Sequence, residues 1–560
     1  MSLMAALARM EAAQSGRAQP RATVRHRRLA ERPLVLVPLT TAGETGAPLG
    51  ALVGSSRETP ELLVVPQPRD RDRRFAFLAR LADAVLPHVE AAQDDVEWEE
   101  RKETDPQTGK KVAVQVELCV DAPQLLVPNA PGIEFVRLLG RSMRFRRTAE
   151  EEPTAPYPAP PRVPLLGRWL THYGERARVP GSALLLSMTD LLARHWATGQ
   201  SALEDQHLGA LLAWIDPPEG LTGSEAALRA ETERDAAGRL LCPPAGPATD
   251  PAFDNRLLAP AVARFDADVP GAEEEVRELI ASQLRPVWES MWHGVDLLRT
   301  LPEGEHVAER FKRDRWSYTG HRDRVRTGEP PQPRRDDAVT AASKLAVREQ
   351  AQARLEAQEA LDDPLVMAER RLAGEAFTGE VVEVRMAWSD GRRPMPRPLV
   401  TLRTGDRPQL AEGGRMHRKM PEGSAQSAEF VDGLAPGLVT VRLVSGMGRS
   451  KEPAPATVPE PGEPLCWTLF EHAPRGGPGL PDADDTPWTH GGPPAEAGAP
   501  AGNVAATVAP AGSGTSAGTG TSAGQGLSGL PSQRPTQPAG QPPAPLAAEL
   551  PDPVTSEDLL

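Results

Sequence analysis

The carboxy-terminal segment, residues 476–560, constrains the fold most because it cannot contribute to a hydrophobic core. It contains one Arg, no Lys and a single aromatic residue, Trp488. A segment of this composition cannot bury enough apolar surface to offset the entropy lost on ordering. We therefore predict that it is disordered and that the folded part of the chain precedes it.

The rest of the chain is long enough for several domains. Hydrophobic residues make up 39% of the whole sequence and charged residues 25%, which is typical of a globular protein. The patterns predict a multidomain α+β protein with a mixed α/β domain, a helical middle, a small β-barrel and the disordered tail. The predicted parts are a basic segment at 1–32, an α+β domain at 33–147, a linker at 148–163, a mainly helical domain at 164–375, the barrel at 376–475 and the tail at 476–560.

Alternation and helical periodicity define the first half. Short apolar runs separated by Gly, Thr and Ser predict strands at 34–39, 49–53 and 61–65, and a helix follows at 73–93. Val112, Val114, Val116 and Leu118 alternate with polar or small residues, which indicates the half-buried strand of a hairpin with 96–102. Residues 148–163 combine three glutamates with five prolines, which is typical of a linker.

The second half changes from helices to strands. Helical periodicity continues to residue 373, with a kink expected at Pro364. Five apolar runs punctuated by glycines then predict strands at 377–388, 399–403, 428–431, 438–444 and 465–470. Five short strands in this length favour a closed barrel of the OB or SH3-like kind.

A basic run at 310–335 is the main functional signal. It holds nine Lys and Arg against three acids in a chain whose net charge is -14. Cations bind phosphates and aromatic rings stack on bases, so we predict a nucleic-acid contact surface. Its candidate residues are Lys312, Arg313, Arg315, Trp316, Tyr318, Arg322, Arg324 and Arg326. The alternative is structural: Trp316 and Tyr318 pack on a neighbouring domain, and the arginines pair with the acidic helix predicted at 272–280.

A second basic stretch lies within the predicted barrel. Residues 385–419 hold nine Lys and Arg against three acids, which indicates loops that follow a phosphate backbone. The candidate residues here are Arg392, Arg393, Arg415, Arg418 and Lys419. A solvated barrel surface with ordinary counter-charges is the alternative interpretation.

The order of parts in residues 377–560 resembles that of bacterial single-stranded DNA-binding proteins. In that family a barrel carries a flexible tail whose acidic, hydrophobic tip recruits partner proteins. The resemblance implies a partner-binding role for the tip Glu557, Asp558, Leu559 and Leu560, although the tip lacks the aromatic ending of that family.

An enzymatic alternative depends on Glu100-Arg101-Lys102, which has the ExK form of a metal-dependent nuclease. In such enzymes carboxylates bind Mg²⁺ and the lysine orients water. Asp83, Asp94 and Asp95 precede the motif, but the segment also fits a plain acidic hairpin edge. We predict no metal or cofactor site from the sequence.

The three cysteines, Cys119, Cys242 and Cys466, are far apart and odd in number, so a disulfide framework is not expected. No stretch approaches the roughly 18 apolar residues of a membrane helix. We expect a cytoplasmic protein without a membrane partner.

The leading hypothesis is a non-catalytic nucleic-acid-binding accessory protein that works with a helicase, ATPase or nuclease on another chain. The rival hypothesis is a protein-binding adaptor or scaffold of a bacterial multi-protein assembly.

Overall fold

A computed structural model describes residues 3–44, 46–104, 110–331, 338–390, 392–435, 437–448 and 450–474. Apart from residues 338–341, these belong to one compact unit that contains a mixed sheet, its flanking helices and the barrel. A mixed α+β architecture with a closed barrel near the carboxy-terminal end is thereby confirmed. The predicted tail and its tip, Glu557 to Leu560, lie outside the described residues.

The first part of the chain alternates strands with helices. Its elements are α1 (Leu3–Ser15), β1 (Gln19–Pro20), β2 (Leu34–Thr40), β3 (Pro48–Gly54), β4 (Glu61–Val64), α2 (Arg71–Glu90), β5 (Val96–Thr104), β6 (Lys111–Cys119), β7 (Leu125–Val127) and α3 (Ala130–Met143).

The middle is mostly helical. Its elements are α4 (Val163–Arg176), β8 (Leu185–Ser187), α5 (Met188–His195), β9 (Trp196–Ala197), α6 (Leu208–Ile215), α7 (Gly223–Thr232), α8 (Pro251–Phe253), α9 (Ala259–Asp266), α10 (Ala272–Arg299), α11 (Val307–Arg326), α12 (Ala338–Asp362) and α13 (Pro364–Leu372). The break between α12 and α13 lies at Asp363, directly before the proline that the sequence marks as a kink.

The central sheet has the strand order β4-β3-β2-β7-β8 and is covered on both faces. All seven residues of β2 are buried. Leu34 and Leu36 belong to a core with α2, α3 and α4, whereas Val35 and Val37 belong to a second core with α6 and α10. A continuous apolar run is what a strand buried on both faces requires.

This sheet includes residues on both sides of the predicted linker. Strand β8 pairs in parallel with β7, and Leu184 and Leu185 share a core with residues of the amino-terminal part. Ala159, within 148–163, is buried in that same core. The domain boundaries proposed from composition stay a prediction, although the hydrophobic core is continuous across residues 148–163.

Strands β5 and β6 form a separate two-stranded hairpin, in the place that the sequence predicts. The prediction that one face of β6 is half-buried is wrong, because Val112 is 47% exposed and Val114 36% exposed. Only the end of β6 is buried, at Leu118 and Cys119, and Cys119 belongs to the core with α2, α3 and α4. Alternation revealed the strand but could not show whether another element would cover it.

The barrel consists of β10 (Ala376–Arg385), β11 (Leu399–Arg403), β12 (Arg415–Lys419), β13 (Ala425–Ala435), β14 (Leu438–Leu443) and β15 (Pro464–Thr468). The strands close in the order β10-β11-β14-β13-β12-β15. Five strands were expected, and β12 is the one that the sequence did not reveal. Its sequence Arg-Met-His-Arg-Lys is basic at every position except Met416, so polarity does not indicate a strand with a buried face.

Candidate nucleic-acid interface

The basic run at 310–326 is part of helix α11, and one face of this helix is buried. Phe311 and Tyr318 join the core that lies under α2 and α4, and the Tyr318 hydroxyl donates to the carbonyl of Val89. Burial is the main reason why the pKa of Tyr318 is raised above its ordinary value. Phe311 and Tyr318 therefore anchor the helix.

Four cations of α11 are paired with carboxylates of the β5–β6 hairpin and of the residues just before it. Lys312 contacts Glu99, Arg315 contacts Glu97, and Arg326 contacts Asp94, while the Arg322 guanidinium lies 3.1 Å from Glu117. The sequence suggested the acidic helix at 272–280 as the partner of these arginines. Carboxylates of the hairpin and Asp94, just before it, take that place, so these four cations are neutralised within the protein.

Two of the predicted contact residues on α11 are inside the protein. Tyr318 is 0% exposed and Arg322 2% exposed. Neither side chain can contact a strand at the surface without local unfolding, so we withdraw both from the predicted interface. Arg313, Trp316 and Arg324 are half-buried. Whether they bind nucleic acid stays a prediction.

The second basic stretch also divides into buried and exposed members. Arg418 is 5% exposed, and it donates to the Gln426 side chain at 2.7 Å and to the Thr457 carbonyl at 3.2 Å. It therefore stabilises the barrel interior and is also withdrawn. Lys419 is exposed but forms an ion pair with Glu305 at 2.7 Å, which joins the barrel to the loop before α11.

One row of side chains on the outside of the barrel is rich in arginine. The strand pairings place Arg385 opposite Leu399, Leu399 opposite Arg442, Arg442 opposite Glu429, and Glu429 opposite Arg415. Side chains directly opposite one another on paired strands point to the same face. Arg385, Arg415 and Arg442 therefore line up across five strands, over roughly 19 Å at the usual strand spacing.

These three residues, the barrel arginine row, differ from the cations of α11 in their electrostatic surroundings. All three are exposed. Within the described part of the chain, none of them forms an ion pair with a carboxylate. Glu429 is the one acid in this row against three arginines, so the net charge of the row is positive.

A groove of about 680 Å³ runs beside this row and is lined by Trp388, Arg397, Arg415, Glu429 and Arg442. The Trp388 ring is 48% exposed, and its indole N–H donates to the Lys451 carbonyl at 3.3 Å. One edge of the ring is thus fixed while much of its surface stays accessible. An accessible aromatic ring beside unpaired arginines is the arrangement on which single-stranded bases stack.

The loop between β10 and β11 carries the remaining candidates. Arg392 and Arg393 are exposed in this loop. Its base is closed by backbone hydrogen bonds from Ser389 to Met395 at 2.8 Å and from Arg397 to Ala387 at 2.7 Å. The loop therefore projects beside the groove with a defined base, and it adds two cations at its tip.

Arg442 and Trp388 were not selected from the sequence, although a signal for Arg442 exists. Val439, Val441 and Leu443 alternate with it and are the buried side of the strand. An arginine in the opposite phase must face outward. Trp388 ends a run that was assigned to a strand, and nothing in that run distinguishes an exposed ring from a buried one.

The residues of the nuclease alternative are not gathered into a metal site. Glu100 and Lys102 are exposed on β5, and Asp94 is engaged by Arg326. Across the described ranges, no group of three or more His, Cys, Asp or Glu side chains is arranged to hold a metal ion. Likewise, none of the helices in the described part is long and apolar enough to cross a bilayer.

Comparison with known proteins gives no match. No family model matches the chain, no curated protein is similar to it in sequence, and no solved structure matches its fold. Any function must therefore be argued from the residues themselves.

Proposed function

We propose that this protein binds nucleic acid, preferentially single-stranded, through the outer face of its barrel. The observation that supports the proposal is the barrel arginine row, whose three guanidinium groups are exposed and without carboxylate partners in the described structure. Phosphates would supply the missing negative charge, and each contact would release counterions from the nucleic acid.

The groove favours a single strand over a duplex. Trp388 offers an accessible ring for one base, and stacking on an aromatic ring contributes about 1–3 kcal/mol per base. Bases are free to stack in this way only when they are not already paired. We place the backbone along the barrel arginine row and the loop residues Arg392 and Arg393, with a base against Trp388.

The finer identity of the barrel is part of this proposal. OB-type and SH3-like barrels are small, and OB-folds bind strands on an outer face bordered by loops. Here six strands rather than five close the barrel, but the relation between face and loop is similar. We further propose that the protein acts as a non-catalytic accessory to a helicase or nuclease on another chain, a role based on the sequence alone.

The test is fluorescence anisotropy with labelled single-stranded DNA, single-stranded RNA and duplex DNA. We expect single strands to bind more tightly, and the affinity to fall several-fold or more between about 50 mM and about 200 mM salt. The triple variant Arg385→Gln, Arg415→Gln, Arg442→Gln should bind at least about tenfold more weakly, with a shallower salt dependence.

The matched control is the triple variant Lys312→Gln, Arg315→Gln, Arg326→Gln, which removes three cations that the hairpin already neutralises. It should bind nearly as the unmodified protein does. If the control loses affinity and the barrel variant does not, the site is on α11 instead. If neither single strands nor duplex DNA bind at low salt, the proposal is wrong. Protein partners that are still captured after nuclease treatment would favour the adaptor hypothesis.

A further inference from the structure

A second cavity lies away from the barrel groove, between helices α11 and α12 and the β5–β6 hairpin. Its volume is about 500 Å³, and its lining includes Arg101, Arg313, Trp316, Gln350 and Arg354. This volume falls within the range of about 300–1,000 Å³ that is typical of small-molecule sites. Helix α4 contributes Arg176, so four separate elements form its walls. The site is therefore concave and not a face along which a polymer passes.

Four of the five arginines that line this cavity fall into two groups. Arg176 pairs with the buried carboxylate of Asp314 at 3.0 Å, and Arg322 pairs with Glu117 at 3.1 Å. Those two guanidinium groups are neutralised by the protein. They hold the cavity wall in place and leave no charge for a ligand.

Arg313 and Arg354 are in a different situation. The nearest carboxylate oxygen to the Arg313 guanidinium belongs to Glu309 and is 3.9 Å away, beyond hydrogen-bond distance. Arg354 donates to the carbonyl of Pro474 at 3.3 Å, and within the described ranges it forms no ion pair. One nitrogen of each guanidinium, Nη2 of Arg313 and Nε of Arg354, is buried without a hydrogen-bond partner.

The two cations also destabilise each other. Burial lowers the pKa of Arg313 below its ordinary value, and the positive charge of Arg354 lowers it further. Both residues are half-buried. A like-charged pair in such surroundings is unfavourable because neither group can be neutral near pH 7 and water is partly excluded. A dianion placed between them would remove this repulsion and satisfy the unpartnered nitrogens.

Trp316 adds a flat apolar wall to the same cavity. The ring is half-buried, and the Arg101 guanidinium lies 5.8 Å from its centroid. A planar ring of a ligand could stack on it. The Gln350 amide nitrogen already donates to the Pro474 carbonyl at 3.1 Å, so Gln350 offers a ligand its acceptor oxygen.

We infer that this cavity binds a nucleoside phosphate, with its phosphate between Arg313 and Arg354 and its base against Trp316. Phosphate suits the pair better than a carboxylate does because it carries more charge and three acceptor oxygens. The inference does not depend on the barrel site, since the two sites share no residue.

Isothermal titration calorimetry on the full chain tests the inference with adenosine and guanosine mono-, di- and triphosphates, free nucleosides and inorganic phosphate. We expect the nucleoside phosphates to bind most tightly, inorganic phosphate more weakly, and free nucleosides least. Arg313→Gln and Arg354→Gln should each weaken binding by about tenfold or more, the usual loss for a charge-assisted hydrogen bond. Trp316→Ala should weaken the binding of nucleotides but leave the binding of inorganic phosphate unchanged.

Arg348→Gln is the matched control, because Arg348 is on the same helix α12 but does not line the cavity. It should bind nucleotides as the unmodified protein does. A second measurement guards against misfolded variants: without ligand, Arg354→Gln should melt at the same or a higher temperature, since it removes like-charge repulsion.

Some results would overturn the inference. They are the absence of heat with every nucleoside phosphate at about millimolar concentration, equal affinity for free nucleosides, or unchanged binding in both arginine variants. The triple variant of the barrel arginine row separates the two proposals. It should lose oligonucleotide binding and keep nucleotide binding, whereas Arg313→Gln and Arg354→Gln should do the reverse.

Discussion

At the scale of single residues, burial changes the chemistry of a stacked histidine pair. The rings of His172 and His321 are 4.3 Å apart between centroids and nearly parallel, and both residues are buried. Burial, with nearby arginines, holds the pKa of each imidazole well below the ordinary value of 6.5. Both rings are therefore neutral in the folded protein, and Trp169 packs against them.

This pair predicts a loss of stability in mild acid. Below an unfolded-state pKa of about 6.5, the unfolded chain takes up protons that the folded chain does not, so the free energy of unfolding falls as pH falls. The slope is at most about 1.4 kcal/mol per pH unit for each histidine. Above this pH the contribution is constant.

Urea unfolding between about pH 7 and about pH 5 measures this effect. The variant His321→Phe should show a shallower decline than the unmodified protein because one titrating group is gone. His293→Phe is the control for the substitution itself, since His293 has a 42% exposed side chain beside Asp216 and is not part of the stacked pair. Equal slopes for all three proteins would contradict the prediction.

At the scale of elements, two glycines allow helices α3 and α4 to pack at short range. A Cβ atom on Gly140 would lie 2.6 Å from the backbone nitrogen of Thr171, and one on Gly167 would lie 2.5 Å from that of Arg144. Both neighbours are backbone atoms, which cannot rotate away. The missing side chains therefore set the distance between the two helices.

Gly140→Ala and Gly167→Ala should each destabilise the protein by about 1–3 kcal/mol, the usual cost of overpacking. The direction is informative because Gly→Ala within a helix otherwise stabilises by about 1 kcal/mol. Thermal or urea unfolding measures the change. Gly294→Ala is the comparison: its nearest neighbour is the flexible Met188 side chain, so we expect a smaller loss. A gain in stability at Gly140 would show that the helices separate easily.

At the scale of the whole molecule, Asp363 fastens the amino-terminal segment to the junction of α12 and α13. Its side chain is 0% exposed and accepts hydrogen bonds from the backbone of Thr23 at 2.6 Å and of Leu365 at 2.9 Å. His26 lies 3.5 Å away. Burial raises the pKa of Asp363, but the interaction with His26 and the backbone hydrogen bonds together outweigh it, and the net shift is downward.

Asp363→Ala should cost about 2–4 kcal/mol of stability, since several buried donors lose a charged acceptor. It should also release the segment around residues 21–28, which is rich in arginine. Limited trypsin digestion would then cleave there faster than in the unmodified protein. Asp390→Ala, which removes an exposed carboxylate, is the control. Unchanged digestion of Asp363→Ala would mean that other contacts hold the segment.

The sequence by itself determined the element types in most of the described chain. Continuous apolar runs such as 34–39 identify buried strands, and alternation identifies the hairpin, because both patterns follow from local backbone geometry. The barrel was predictable as a barrel from its short strands and glycines. Strand β12 was missed because two of its three buried residues, His417 and Arg418, are themselves basic.

Only the tertiary structure decided which cations are available. Arg322 and Arg442 have the same side-chain chemistry. Arg322 is nevertheless buried against Glu117, whereas Arg442 is exposed beside a groove. The difference depends on strand register and on which element packs opposite, and both connect residues that are far apart in the chain. Local patterns cannot contain that information, because charge neutralisation is a property of neighbours in space.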